Sequence, residues 1–162
     1  MVGERNKVIT WLLSQPEDKT YEANVKREHR SLNANSYYWV LAGKLAPVQN
    51  ISTTRLHNMM IRDYGQREFI GDRVVNVFIP DTEEAEQKSL DAETYHIKPT
   101  SQVVKGFRTY VLMRGSSTYD TKEMSILLDG MISECEQSGI ETMTPDELER
   151  LKGYEKQENK GM

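Results

Sequence analysis

With 162 residues, 37% of them hydrophobic, and a mean hydropathy of −0.68, the chain suits one domain with a real core and a large solvated surface. Its one Cys excludes an internal disulfide and fits a reducing cytoplasm, and no run nears the ~18 apolar residues of a membrane span. The net charge of −4 hides an asymmetry: residues 1–80 carry eleven Lys/Arg against eight Asp/Glu, and residues 81–162 carry ten against seventeen.

Met1–Asn6 leads straight into an apolar run, so neither a signal peptide nor a membrane anchor is expected. That run, Val8 to Leu13, is rich in β-formers, and "SQPEDKT" behind it has turn chemistry. Tyr21–Lys26 then returns as the second strand of a small N-terminal β-hairpin. Ser31 is an N-cap candidate for a helix to about Ala46, where Pro47 enforces an end. Ser52 or Thr53 opens the next helix, with Leu56, Met59 and Met60 on one face and Gly65 closing it after Tyr64.

Arg73–Ile79 reads as a strand ended by Pro80, and "DTEEAEQKSLD" as a short acidic helix capped by Asp81. Phe107–Met113 alternates in the manner of a strand and runs into a Gly115-Ser116-Ser117 loop. Asp120 and Glu123 have capping-box spacing ahead of a stripe formed by Met124, Leu127, Leu128, Met131, Ile132 and Cys135. Gly139 stops that helix. Thr144-Pro145-Asp146-Glu147 opens a last one, whose buried edge is Leu148, Leu151 and Tyr154. The expected fold is therefore α+β: an N-terminal hairpin and further antiparallel strands packed with three to four main helices. It forms a single domain over residues 1–154, followed by a flexible tail over 155–162.

Two basic zones stand out in this acidic chain. Asn24–Arg62 holds Lys26, Arg27, Arg30, Lys44, Arg55 and Arg62 against Glu28 alone. Thr94–Tyr119 holds Lys98, Lys105, Arg108 and Arg114 and no acid. Clustering of this kind suggests an anion-binding face, whereas a solvated, evenly mixed surface is the bland reading. On a helix from Ser31, residues Leu32, Asn35, Trp39, Ala42 and Ala46 share one side, and Asn35 breaks the apolar stripe. Buried without a partner, its amide would cost on the order of 1–3 kcal/mol. It must therefore tie down a neighbouring backbone, or face outward beside Trp39 at the rim of a groove. Tyr37 and Tyr38, close to Arg27, Arg30 and Lys44, are either core or stacking platforms for unpaired bases.

The stretch "RSLNANSYYWVL" resembles the motif that opens the main helix of the phage NinB/Orf family of recombination proteins. Arg30, Ser31, Leu32, Asn35 and Trp39 match it in type and spacing. A second stretch, "GSSTYDTKEMSILLDGMISECEQSGIETMTPDELERLK", is similar to the family in its Ser/Thr loop, long helix, Gly-Ile turn and short helix. The two cover about fifty residues in the family's order, while Gln66–Lys105 departs from it. The resemblance implies a small α+β homodimer in the host-cell cytoplasm. It would be a recombination mediator that binds single-stranded DNA and the host single-strand-binding protein, without catalysis. On that reading Arg27, Arg30, Lys44, Arg55, Lys105 and Arg108 take phosphates, Tyr37 or Tyr38 stacks on bases, and no cofactor is needed.

Other chemistry finds little purchase. Asp120, Glu123 and Asp129 are the carboxylates a metal-dependent nuclease would use, but the first two already have a capping role. His29, His57, His96 and Cys135 have no zinc-ligand spacing. There is no GxxxxGK[ST] loop, GxGxxG turn or GxSxG elbow. The competing expectation is a non-enzymatic factor that binds a host replication or defence protein through the acidic segments 81–93 and 134–158.

Overall fold

The computed structural model describes residues 4–21 and 33–158, with side chains to Gly153 in the last helix. The chain divides into two compact units, residues 1–31 and 32–162.

In the first unit, α1 spans Arg5–Leu13. This corrects the first strand of the expected N-terminal hairpin; the second, Tyr21–Lys26, lies outside the described residues beyond Tyr21. Val8 and Leu12 are half-buried at i and i+4, a helical spacing that the run of β-formers conceals. Thr10 Oγ1 donates back to the Asn6 carbonyl at 2.9 Å, and Ser14 Oγ closes the end by donating to the Trp11 carbonyl at 2.7 Å. Trp11 meets Tyr21 edge to face, with centroids 6.4 Å apart.

The second unit is α+β. Helix α2 runs Ala34–Val48, with Asn33 as its cap: Asn33 Oδ1 accepts the Ser36 N–H at 2.8 Å. Ser31, the expected cap, lies outside the described residues. Pro47 does not end the helix but sits in its last turn, one residue before the end at Val48. Helix α3, Thr53–Tyr64, is capped by Ser52 as its sequence predicts.

Two-residue strands β1 (Phe69–Ile70) and β2 (Arg73–Val74) form a small ribbon. Strands β3 (Asn76–Pro80), β4 (His96–Val104) and β5 (Phe107–Met113) form an antiparallel sheet in the order β3-β5-β4. Helix α4, Glu83–Leu90, lies between β3 and β4 in sequence, and its cap is Thr82 rather than Asp81. The β4–β5 turn is Lys105-Gly106, with φ of +52° and +78°, the left-handed pair that a tight hairpin turn needs. After a short 3-10 turn at Ser116–Thr118 come α5, Thr121–Gln137, and α6, Pro145–Glu158, which passes the Tyr154 boundary expected for the domain.

The core joins α2, α3 and α5 and extends to Met113 of β5 and Leu151 of α6. Every residue of the predicted α5 stripe is buried except Ile132, which is partly so. Asp120 and Glu123 make the reciprocal capping box. Helices α3 and α5 approach closely because Gly130 has no side chain: a Cβ there would lie 2.4 Å from Tyr64 Cγ.

Candidate functional site

Helix α2 turns one face inward, comprising Ala34, Tyr37, Tyr38, Leu41, Ala42, Leu45 and Ala46. That face is rotated from the one expected to carry Asn35 and Trp39. Asn35 is exposed and Trp39 is 39% exposed, so both stand on the solvent side one turn apart. The amide therefore needs no buried partner.

Beneath Trp39 lies a cavity of about 260 Å³, lined also by Thr53, Thr54, His57 and Asn58 of α3, and by Ala92, Glu93 and His96 leading into β4. The Trp39 ring sits 4.6 Å from that of His57, centroid to centroid, at a 42° tilt. His57 in turn meets His96 edge to face at 5.3 Å. The edge-to-face pair is one of the favoured arrangements of aromatic rings.

The polar groups below these rings are held in a defined chain of hydrogen bonds. Asn58 Nδ2 donates to the carbonyls of Leu90 (2.6 Å) and Ala92 (2.8 Å), which orients the amide and leaves Oδ1 for His96 Nδ1 at 2.6 Å. An amide oxygen only accepts, so His96 carries its proton on Nδ1. Tyr38 Oη, wholly buried, lies 2.8 Å from His57 Nδ1 and has no other partner among the described residues. Its proton must therefore go to that nitrogen, since otherwise a buried hydroxyl would be left without an acceptor. Neutral His57 then holds its own proton on Nε2.

Burial raises the Tyr38 phenol above its ordinary range. The His57 imidazole is pushed down to about 4, chiefly by burial and secondly by the charge that His96 would carry. His96 is lowered by burial as well. Both rings are therefore neutral at pH 7.

The sequence-predicted residues are not gathered here. Arg27, Arg30, Ser31 and Leu32 lie outside the described residues, as does His29. Tyr37 and Tyr38 are corrected from stacking platforms to core: they are 5% and 0% exposed, and Tyr37 Oη accepts the Met143 N–H at 2.7 Å.

Arg55 is likewise not a free phosphate ligand. It is clamped by Asp91 through two bonds of 2.9 and 2.8 Å and by Gln87 at 2.6 Å. Arg108 is held by Asp81 and the Thr100 carbonyl, both at 2.8 Å. Arg62 pairs with Glu86, and Arg114 with Glu123. Lys44 and Lys105 are exposed and make no ion pair among the described residues. These carboxylates were invisible to the charge count because they lie outside both windows: Glu86 and Asp91, of α4 and its flank, serve the first zone, and Asp81 and Glu123 serve the second.

Of the nuclease carboxylates, Asp120 and Glu123 cap α5, and Asp129 takes Lys152 at 2.7 Å. Among the described residues no group of three His, Cys, Asp or Glu is placed to hold a metal ion. Cys135 is buried, with its thiol raised mainly by burial. No described helix is long and apolar enough to cross a membrane.

The Trp39–His57–His96 cluster was not anticipated. Its one sequence signal was the outward alternative for Asn35 beside Trp39. Compared with known proteins, the chain matches no family model, no curated protein and no solved structure.

Proposed function

We propose that this chain is a phage accessory recombination protein that binds single-stranded DNA without catalysis, in line with the resemblance carried by Arg30 to Trp39. Contact is made through Trp39 and the cavity below it rather than through Tyr37 and Tyr38. The observation that carries this reading is the Trp39 ring, held on His57 at 4.6 Å and still 39% exposed above an open cavity. An aromatic platform of this kind stacks any unpaired base, at about 1–3 kcal/mol per base. The paired Arg55, Arg62, Arg108 and Arg114 take structural roles, and phosphate contact falls to Lys44 and Lys105.

The test is a fluorescence titration with oligo(dT) in a Trp11→Phe background, so that Trp39 is the reporter. Quenching that saturates at low salt supports the proposal. An unchanged spectrum together with no binding at low salt removes it.

A protein-contact role has one observation of its own. Pro80, Phe107 and Val104 stand side by side across the sheet, with Phe78 beside them. Phe78 is 67% exposed, Val104 53% and Phe107 47%, an apolar row of the sort that docking surfaces use. The acidic 81–93 segment suits that role less well, because Asp81, Glu86 and Asp91 are held by arginines of this chain. If the row docks the host single-strand-binding protein, Phe107→Ser abolishes pull-down of that protein and leaves oligo(dT) binding intact.

A further inference from the structure

The hydrogen-bond polarity of the cavity narrows what it accepts. His57 is 8% exposed, its Nδ1 is engaged by Tyr38, and its Nε2 has no hydrogen-bond partner among the described residues. No buried side-chain nitrogen or oxygen among the described residues lacks a partner, so Nε2 is open rather than sealed. The ring lines the cavity. Tyr38 thus converts a residue of the core into a fixed N–H donor at the cavity wall.

That donor carries no charge and Glu93 also lines the cavity, so an anion entering it would lose its hydration without a counter-charge, whereas a neutral acceptor would not. A volume of about 260 Å³ is below the roughly 300–1,000 Å³ of pockets that enclose drug-sized ligands, and it leaves room for one planar ring system. Trp39 offers that ring a face to stack on. The hydroxyl-bearing residues Thr53 and Thr54 and the carboxylate of Glu93 complete the lining, and all three side chains accept hydrogen bonds.

We infer that the cavity receives a single unpaired nucleobase, stacked on Trp39 and oriented by a carbonyl oxygen that accepts from His57 Nε2. The inference rests on the single-strand reading and deepens it. A strand bound only by its phosphates would not discriminate among bases, whereas a fixed donor does. Thymine, with two carbonyl oxygens flanking an N–H, presents the acceptor that His57 needs and a donor for the Glu93 side. Adenine has no carbonyl: its acceptors are ring nitrogens, its donor is the exocyclic amino group, and its double ring is larger than the single ring of thymine. The preference therefore runs from thymine to adenine to no base.

The decisive comparison uses three strands of equal length and charge: oligo(dT), oligo(dA) and a fully abasic oligomer. Affinity is expected to fall roughly fivefold to tenfold from dT to dA, the worth of one hydrogen bond, and further for the abasic strand. Equal affinity for all three overturns the inference and leaves the single-strand reading standing. No binding of any strand at low salt overturns both.

A second measurement is independent of ligand. Two-bond ¹H–¹⁵N correlation of the histidine side chains at pH 7.5 should show the proton of His57 on Nε2 and that of His96 on Nδ1. A proton on His57 Nδ1 overturns the inference. Tyr38→Phe keeps the ring in the core but frees Nδ1. In that variant the dT-over-dA preference should shrink while abasic binding is unchanged, and a preference as large as in the parent counts against the inference.

Discussion

Arg55 and Asp91 close on each other through two parallel bonds, Nε to Oδ1 at 2.9 Å and Nη2 to Oδ2 at 2.8 Å. A guanidinium held in this fork, with Gln87 on its remaining edge, has little left to offer a phosphate. Arg55→Ala is therefore expected to change oligo(dT) affinity by no more than about twofold, whereas Lys44→Glu weakens it more. Equilibrium titrations at two salt concentrations check this. The Lys44→Glu variant should also show a shallower salt slope, by about 0.7 for each phosphate it no longer neutralises.

Trp39→Ala removes the stacking face but little of the core, because the ring is already 39% exposed. It should cost about 1–3 kcal/mol of oligo(dT) binding and leave thermal stability within about 1 kcal/mol. Trp39→Phe restores part of the affinity. Calorimetric titration and thermal unfolding of the same preparations separate the two effects.

Stability should fall with acid in a defined window. His57 titrates at an ordinary 6.5 when unfolded and at about 4 when folded, so acid favours the unfolded chain. Its contribution is complete above pH 6.5 and is lost progressively down to about pH 4. The full difference is about 3 kcal/mol, at 1.36 kcal/mol per pH unit. His96, also lowered, adds to the slope in the same direction. Denaturant melts at pH 7.5, 6 and 5 should show the decline, and His57→Gln should flatten it.

Gly130→Ala places a methyl group 2.4–2.7 Å from three carbons of the Tyr64 ring, so one helix must move. Overpacking of this kind costs about 1–3 kcal/mol. At this chain length each kcal/mol lowers Tm by roughly 2–4 °C. Tyr64→Leu in the same chain should recover part of the loss. A Gly130→Ala melt indistinguishable from the parent would mean the α3–α5 approach is looser than described.

Local chemistry was the legible part of this fold. Ser52, Asp120 and Thr144 announced their helices because a short acceptor ahead of an amphipathic run satisfies free N–H groups whatever lies around it. Phe107–Met113 was legible through its alternation and emerged with the predicted limits. Strand β4 was not, because Pro99 and an irregular register up to Val103 erase the period. The first helix was misread because the six-residue run from Val8 favours a strand by residue type, while its burial follows a spacing of four.

The candidate site depended on distance in the chain. Trp39, His57 and His96 come from three elements, and nothing in a linear reading brings them together. The same holds for charge. Arg55 and Asp91 are 36 positions apart, so a window that counts one basic zone misses its counter-ion.

Tyr38 belongs to two systems at once: its ring is sealed among the helices, and its hydroxyl fixes which nitrogen of His57 carries the proton at the cavity wall. Repacking around that ring, even by a purely hydrocarbon substitution, would tilt the hydroxyl and so retune what the surface selects. If the cavity takes a base, its selectivity is inherited from the interior, and a stabilised variant obtained by redesigning α2 would have to be screened afresh for ligand choice.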